Sequence, residues 1–161
     1  SVTGGAGAGG LVGDITSGNI STSYAIGDVS GGAGAGGLAG TITTGNITNT
    51  YATGGVKGDA GTGGLVGVGT SGVITNSYAT GLITGAGAGR GGLIGATSAV
   101  HVGSYWDMQT TGYVTSTGSG EKGMTTAQMK DPLNFTSATA ANGSVNPNWN
   151  TATVWTLNSV N

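Results

Sequence analysis

Cysteine is absent from the 161 residues of this chain, so neither a disulfide framework nor a thiolate metal site can form. Charge is nearly absent too, with four basic and six acidic side chains. So few cations make no basic stripe, which removes nucleic acid and polybasic membrane attachment from the expected partners. No apolar run approaches the roughly 18 residues needed to cross a bilayer, so a membrane-embedded chain is not expected. The opening SVTGG does not read as a signal peptide. Histidine occurs once and proline twice. A lone His101, with Asp107 six residues on, lacks the partners that a catalytic triad or a histidine metal site needs, and reads as a structural donor.

What the chain has in quantity is glycine, 37 residues, and a period. GGLVGDITSGNISTSYAIGDVSG at Gly9–Gly31 returns as GGLAGTITTGNITNTYATGGVKG at Gly36–Gly58 and as GGLVGVGTSGVITNSYATGLITG at Gly63–Gly85. A fourth copy opens with GGLIG at Gly91, loses one residue and regains register at Tyr105. Tyr24, Tyr51, Tyr78 and Tyr105 recur with a constant 27-residue spacing. A fixed period of this length marks a solenoid, in which one repeat is one coil stacked on the next.

Each repeat holds three short extended runs between glycine corners. They are the GGLVG run, the Asn46–Ala52 run with its equivalents Asn19–Ala25 and Val73–Ala79, and a short piece around Val29, Val56 and Ile83. The fold expected is all-β, a parallel β-solenoid with one three-strand coil per 27-residue repeat. Its solenoid spans residues 1–105, as a partial coil 1–8 and coils 9–35, 36–62, 63–90 and 91–105. Residues 106–161 form a C-terminal cap, with a short helix near 125–130 capped by Thr125 or Thr126 and a last strand near 152–158 placing Trp155 and Leu157 on one face. Val2 stands nine residues before Leu11, as Val29 does before Leu38, so the chain opens on the last third of a coil. An open coil end exposes strand edges that proteins normally cover. Further repeats, or a second subunit joined head to tail into a filament, are the expected covers.

Period-two alternation along the middle run places Ile47, Asn49 and Tyr51 on one face and Thr48, Thr50 and Ala52 on the other. The apolar members put the first set inside. The expected interior ladders are Leu11, Leu38, Leu65 and Leu93, then Ile20, Ile47 and Ile74, then the four tyrosines. Asn49 and Asn76 form an internal amide ladder, with Thr22 in their place in the first coil. Outside lies a hydroxyl array of Ser21, Ser23, Thr48, Thr50, Thr75 and Ser77, a surface that could meet ice or glycans. Its plainer reading is that hydroxyls suit exposed strands. Trp106 and Tyr113, where the repeat breaks, are the other candidate ligand contacts, with cap packing as their plainer role.

Gly5, Gly7 and Gly10 spell G-x-G-x-x-G, as do Gly32, Gly34 and Gly37, but no helix follows either and both recur with the coil. They read as turn glycines. The acids occupy non-equivalent places, so no paired carboxylates for glycoside chemistry are expected. No cofactor is expected either; calcium is the one metal that the scattered acids leave open, though the aspartate-rich nonapeptide repeat is missing.

GGLVG, NITNTYATGGVKG and VITNSYATGLITG resemble the GLUG-motif repeats of large secreted bacterial surface proteins, including filamentous-haemagglutinin-like adhesins. SYWDMQTTG, GMTTAQMK and VWTL resemble the segment that follows such repeats. The resemblance implies an extracellular right-handed β-helix at the bacterial surface, used in adhesion, biofilm structure or display, and it carries over no catalytic residue. The expected function is therefore structural and adhesive, with ice or glycan binding through the hydroxyl face as the alternative.

Overall fold

The structure is a computed structural model, described here for residues 1–97 and 100–156. The first coil contributes β1 (Val2–Thr3), β2 (Val12–Ile15) and β3 (Asn19–Ala25). The second contributes β4 (Val29–Ser30), β5 (Ala39–Ile42) and β6 (Asn46–Ala52). The third contributes β7 (Val56–Gly58), β8 (Val66–Gly69) and a middle strand split into β9 (Val73–Thr75) and β10 (Tyr78–Ala79). The fourth contributes β11 (Ile83–Gly85), β12 (Ile94–Thr97) and β13 (Val100–Asp107). Beyond them lie α1 (Met108–Thr111), β14 (Ser119–Met124), α2 (Thr126–Met129) and α3 (Leu133–Thr136).

Among the described residues the strands build three parallel sheets, ordered β1-β4-β7-β11, β2-β5-β8-β12 and, for the middle runs, β3-β6-β9/β10-β13-β14. The fold is thus the expected β-solenoid, about four turns long. Register follows the repeat: Val2 lies beside Val29, Val29 beside Val56 and Val56 beside Ile83. In the fourth coil the offset lengthens by one at Ile94, which lies beside Val66, and is regular again at Val100, beside Val73. His101 therefore sits directly beside Ile74 with no slip, buried, while Val102 is exposed. Sharp corners precede the middle strands at Gly18, Gly45 and Gly72, whose φ values of 112°, 123° and 113° are closed to most L-residues.

The main core holds Leu38, Leu65 and Leu93, Ile47 and Ile74, and the small column Ala25, Ala52 and Ala79 that ends in Trp106. Leu11 is the exception to its ladder, 51 % exposed where Leu38, Leu65 and Leu93 are fully buried, and Ile20 is only half-buried. Both belong to the first coil, which has a neighbour on one side alone.

The coil does not stop at Tyr105. Thr115–Thr117 run along Gly92–Ile94, through Gly92 N–H donating to Thr115 O (3.0 Å) and Thr117 N–H to Ile94 O (3.3 Å). β14 then pairs in parallel with β13, Tyr105 beside Lys122. A shortened fifth rung thus covers two of the three sheets, with α1 standing where the next strand of the β1-β4-β7-β11 sheet would follow. Trp106 fills the interior beneath this rung, its indole N–H bonded to Tyr113 O at 2.7 Å, so it is core rather than a ligand contact. Tyr113 is half-buried with the Arg90 guanidinium 5.5 Å from its ring centre. The short helix appears as expected. Thr125 accepts from Gln128 N–H (3.2 Å) while Gln128 accepts from Thr125 N–H (2.8 Å), a reciprocal capping box. The strand expected near 152–158 is not there in its described part: 151–154 form a turn, and Leu157 lies outside the described residues.

Candidate binding cleft on the aromatic flank

The site follows from one backbone feature that simple alternation does not anticipate. Thr22, Asn49, Asn76 and Gly103 stand at equivalent places and share left-handed φ values of 47°, 55°, 50° and 56°. A left-handed residue inside an extended run shifts the side-chain parity beyond it. Asparagine and glycine tolerate that conformation, whereas Thr22 is β-branched and strained there. Parity is therefore as expected up to Ile47 and reversed after Asn49.

The reversal corrects three of the expected ladders. Thr50 and Ser77, assigned outward, are fully buried, while Tyr24, Tyr51 and Tyr78, assigned inward, lie on the outer flank. Tyr105 alone is buried, and it is covered by the C-terminal segment rather than by the coil interior. The hydroxyl array is accordingly a single outer column of Ser21, Thr48 and Thr75, with Ser23 half-buried. The kink also takes the Thr50 and Ser77 amides out of the regular ladder, and interior hydroxyls receive them. Thr50 N–H donates to Ser77 Oγ and Ser77 N–H to Ser104 Oγ, both at 3.2 Å. Asn49 and Asn76 make no amide ladder, since each Oδ1 is buried without a hydrogen-bond partner. An asparagine ladder does exist three residues earlier, where Asn19 Oδ1 accepts from Asn46 N–H (3.0 Å) and Asn46 Oδ1 from Val73 N–H (3.1 Å).

Turned outward, the tyrosines stack face to face. Tyr24–Tyr51 and Tyr51–Tyr78 both have ring centres 5.1 Å apart and planes within 7°. The C-terminal segment closes over the far end of this stack. Trp149 and Trp155 stack at 4.5 Å, Phe135 meets Trp149 at 4.7 Å, and Trp155 tilts over Tyr78 and Tyr51 at 5.7 and 6.1 Å. Trp149 is anchored through its indole N–H to Gly103 O at 2.8 Å, a carbonyl belonging to the left-handed residue of the fourth coil. Asn142 holds the preceding loop by donating to Asn134 O (2.9 Å) and Ser137 O (2.7 Å). Burial pushes the phenols of Tyr78 and Tyr105 up to about 12, with the Tyr51 ring adding to the effect at Tyr78.

Between segment and coil lies a cleft of about 380 Å³, walled by Tyr78, Trp149, Trp155 and Phe135 and rimmed by Thr80 and Lys130. A second groove of about 400 Å³ runs along the exposed tyrosine edges from Thr22 and Tyr24 to Trp155. Asp107 borders the cleft but is committed to structure. Its Oδ1 accepts from Gln109 N–H (2.9 Å), Thr110 N–H (3.2 Å) and the Thr126 hydroxyl (3.0 Å), tying α1 to α2. The arrangement can bind a flat, partly apolar ligand by stacking, with hydroxyl and ammonium donors at the rim.

His101 has a partner that its sequence neighbourhood did not disclose. Its Nδ1 lies against Glu121 Oε2 of β14, both side chains buried, while His101 Nε2 and Glu121 Oε1 have no hydrogen-bond partner. Glu121 is brought there by the fifth rung, in register with Ser104. No group of three or more histidine and carboxylate side chains converges among the described residues. Among the other acids, Asp28 accepts from Gly55 N–H (2.8 Å) and Asp131 from Leu133 N–H (3.0 Å), both backbone roles.

Comparison of the chain with protein-family models, curated proteins and solved structures finds no match.

Proposed function

We propose that this chain is a non-enzymatic structural module of an extracellular bacterial surface protein or fibre, a β-solenoid spacer whose aromatic flank makes adhesive contact with glycans. The observation that carries the reading is the outward tyrosine stack at 5.1 Å spacing, continued by Trp155 into the cleft. Aromatic side chains left half-exposed in a row, beside hydroxyls and away from the core, suit the apolar faces of sugar rings. The solenoid supplies stiffness, because each coil is bonded to the next through all three sheets. The hydroxyl face supports the alternative less well, since Thr50 and Ser77 are interior and one column remains.

Beads coated with the chain and washed under flow over cellulose, chitin and mucin layers test this. Retention on at least one layer is expected, falling at least tenfold for the Tyr51→Ala, Trp155→Ala double variant, with no new reducing ends released. Retention that ignores the double variant would refute the flank as the contact, and released reducing ends would make the protein an enzyme.

A further inference from the structure

The aromatic flank has a step as well as a composition, and the step narrows what can lie on it. Tyr24, Tyr51 and Tyr78 are in direct register on neighbouring strands, Tyr24 beside Tyr51 and Tyr51 beside Tyr78. Their ring centres are 5.1 Å apart at both steps, with planes 5° and 7° from parallel. The groove over them therefore runs along the solenoid axis, across the strands, and offers the same ring once per coil. Val154, Trp155 and Thr156 form its second wall, with Trp155 against Tyr51 and Tyr78.

A ligand that uses every ring must advance by about one coil per unit. An extended peptide does not, because two residues that present the same face advance about 6.7 Å and lose register within two coils. A single-stranded nucleic acid needs cations along its path, and among the described residues no charged side chain borders the groove. A neutral polymer remains. An unbranched β-1,4-linked glycan, of the cellulose or chitin class, is a straight ribbon that gains one sugar in nearly the coil step. Its successive sugars turn over, but both ring faces carry axial hydrogens, so each can lie on an aromatic side chain. Thr22, Ser23 and Thr156 border the same groove and supply hydroxyls for the equatorial groups at the ribbon's edges. We propose that the groove is a binding track for such a glycan, laid along the solenoid axis with one sugar per coil across Tyr24, Tyr51 and Tyr78 and held against Trp155. That track depends on the flank being a glycan contact, as proposed above, and adds the class of chain, its direction and its register. An α-1,4-linked chain curls and a short branched glycan ends too soon, so neither keeps the step over three coils.

The test titrates the full chain with cello- and chito-oligosaccharides of two to six sugars, followed by NMR, with maltohexaose as the curled control. Affinity should rise at least about threefold with each added sugar and level off at about four. Maltohexaose should bind at least about tenfold more weakly than the better straight hexaose. In Tyr24→Ala the plateau should come one sugar earlier, because the first ring of the track is gone. A gain in one series alone supports the track and names its sugar. No binding by either series, affinity that ignores length, or maltohexaose bound as tightly as the straight chains overturns it. The coated beads then separate the track from the contact beneath it. Retention on mucin that is lost in the Tyr51→Ala, Trp155→Ala double variant leaves the flank a glycan contact without a track, whereas retention indifferent to that variant removes the contact as well.

Discussion

The first coil and the fourth are built from the same repeat, yet one ends in open columns and the other in filled ones. Leu11 and Leu93 hold equivalent places, as do Tyr24 and Tyr105, and in both pairs the first member is more than half exposed and the second buried. The difference lies in the residues stacked on each coil's outer side. After the fourth, the repeat is broken by large residues that the regular coils exclude. Trp106 replaces an alanine in the interior, and Trp149 and Phe135 cover Tyr105 from outside. The solenoid is closed at that side by a change in residue size, and the first coil carries no comparable change. Solenoid stability is approximately a sum of nearest-neighbour interfaces, so the two ends should respond very differently to the same substitution.

The largest effect is expected from Gly67→Ala, between two coils. Its Cβ would meet Gly34 O and Gly40 O at 2.1 and 2.7 Å, so neighbouring backbones must separate. We expect a loss of about 3 kcal/mol or more in urea unfolding. A loss below about 1 kcal/mol would show that the coils are loosely stacked and that the glycine columns do not set their spacing.

Trp149→Ala comes next and acts on the filled end alone. It removes a buried indole and its bond to Gly103 O, and should cost about 3 kcal/mol. Limited proteolysis should then cut beyond Met124 while the far-ultraviolet strand signal persists. Simultaneous loss of both would mean that the C-terminal segment and the coils fold as one cooperative unit, which would weaken the contrast between the ends.

How far these features could be read from sequence depends on the physics that fixes each one. The 27-residue period forced the stacked coils, the parallel register and the interior places of Leu38, Leu65, Leu93, Ile47 and Ile74, because a column of identical residues can only be satisfied by stacking. The capping box at Thr125 and Gln128 was legible because it is a local hydrogen-bond pattern. The tyrosines were not. Alternation along the middle run assumes every residue is extended, and the left-handed Asn49 and Asn76 reverse the count beyond them. A signal was present in the column itself, Thr22, Asn49, Asn76, Gly103, since asparagine and glycine recurring inside a strand mark a site of positive φ. The fifth rung was hidden for another reason. Lys122 follows its partner Tyr105 at well short of the repeat length, so no period reveals it, and with it went the His101–Glu121 contact and the cleft.

Alkaline titration probes the covered part of the tyrosine column. The Tyr78 and Tyr105 phenols are raised from the ordinary 10.0 to about 12 by burial. Between those values the unfolded chain has released protons that the folded chain retains. The stabilisation is therefore complete below about pH 10 and is lost as pH rises through about 12. Tm should fall over that window, and less steeply for the Tyr78→Phe, Tyr105→Phe double variant. An equal slope in the variant would place the alkaline loss elsewhere.

The smallest effect, and the sharpest comparison, comes from cutting the tyrosine stack at two heights. Tyr51 has a ring on both faces, from Tyr24 and Tyr78, and Trp155 across its edge. Tyr51→Ala should cost about 1–2 kcal/mol, the burial of its half-covered ring plus its stacking contacts. Tyr24 has one neighbour and an open face, so Tyr24→Ala should cost less than about 0.5 kcal/mol, as for an ordinary surface position. Urea unfolding of the two variants side by side makes the measurement. Equal costs would mean that the first coil is already covered in solution, and light scattering on the same samples would show whether a second copy covers it. Unequal costs would show that the second stacked ring, not the residue's place in the repeat, sets what each tyrosine contributes.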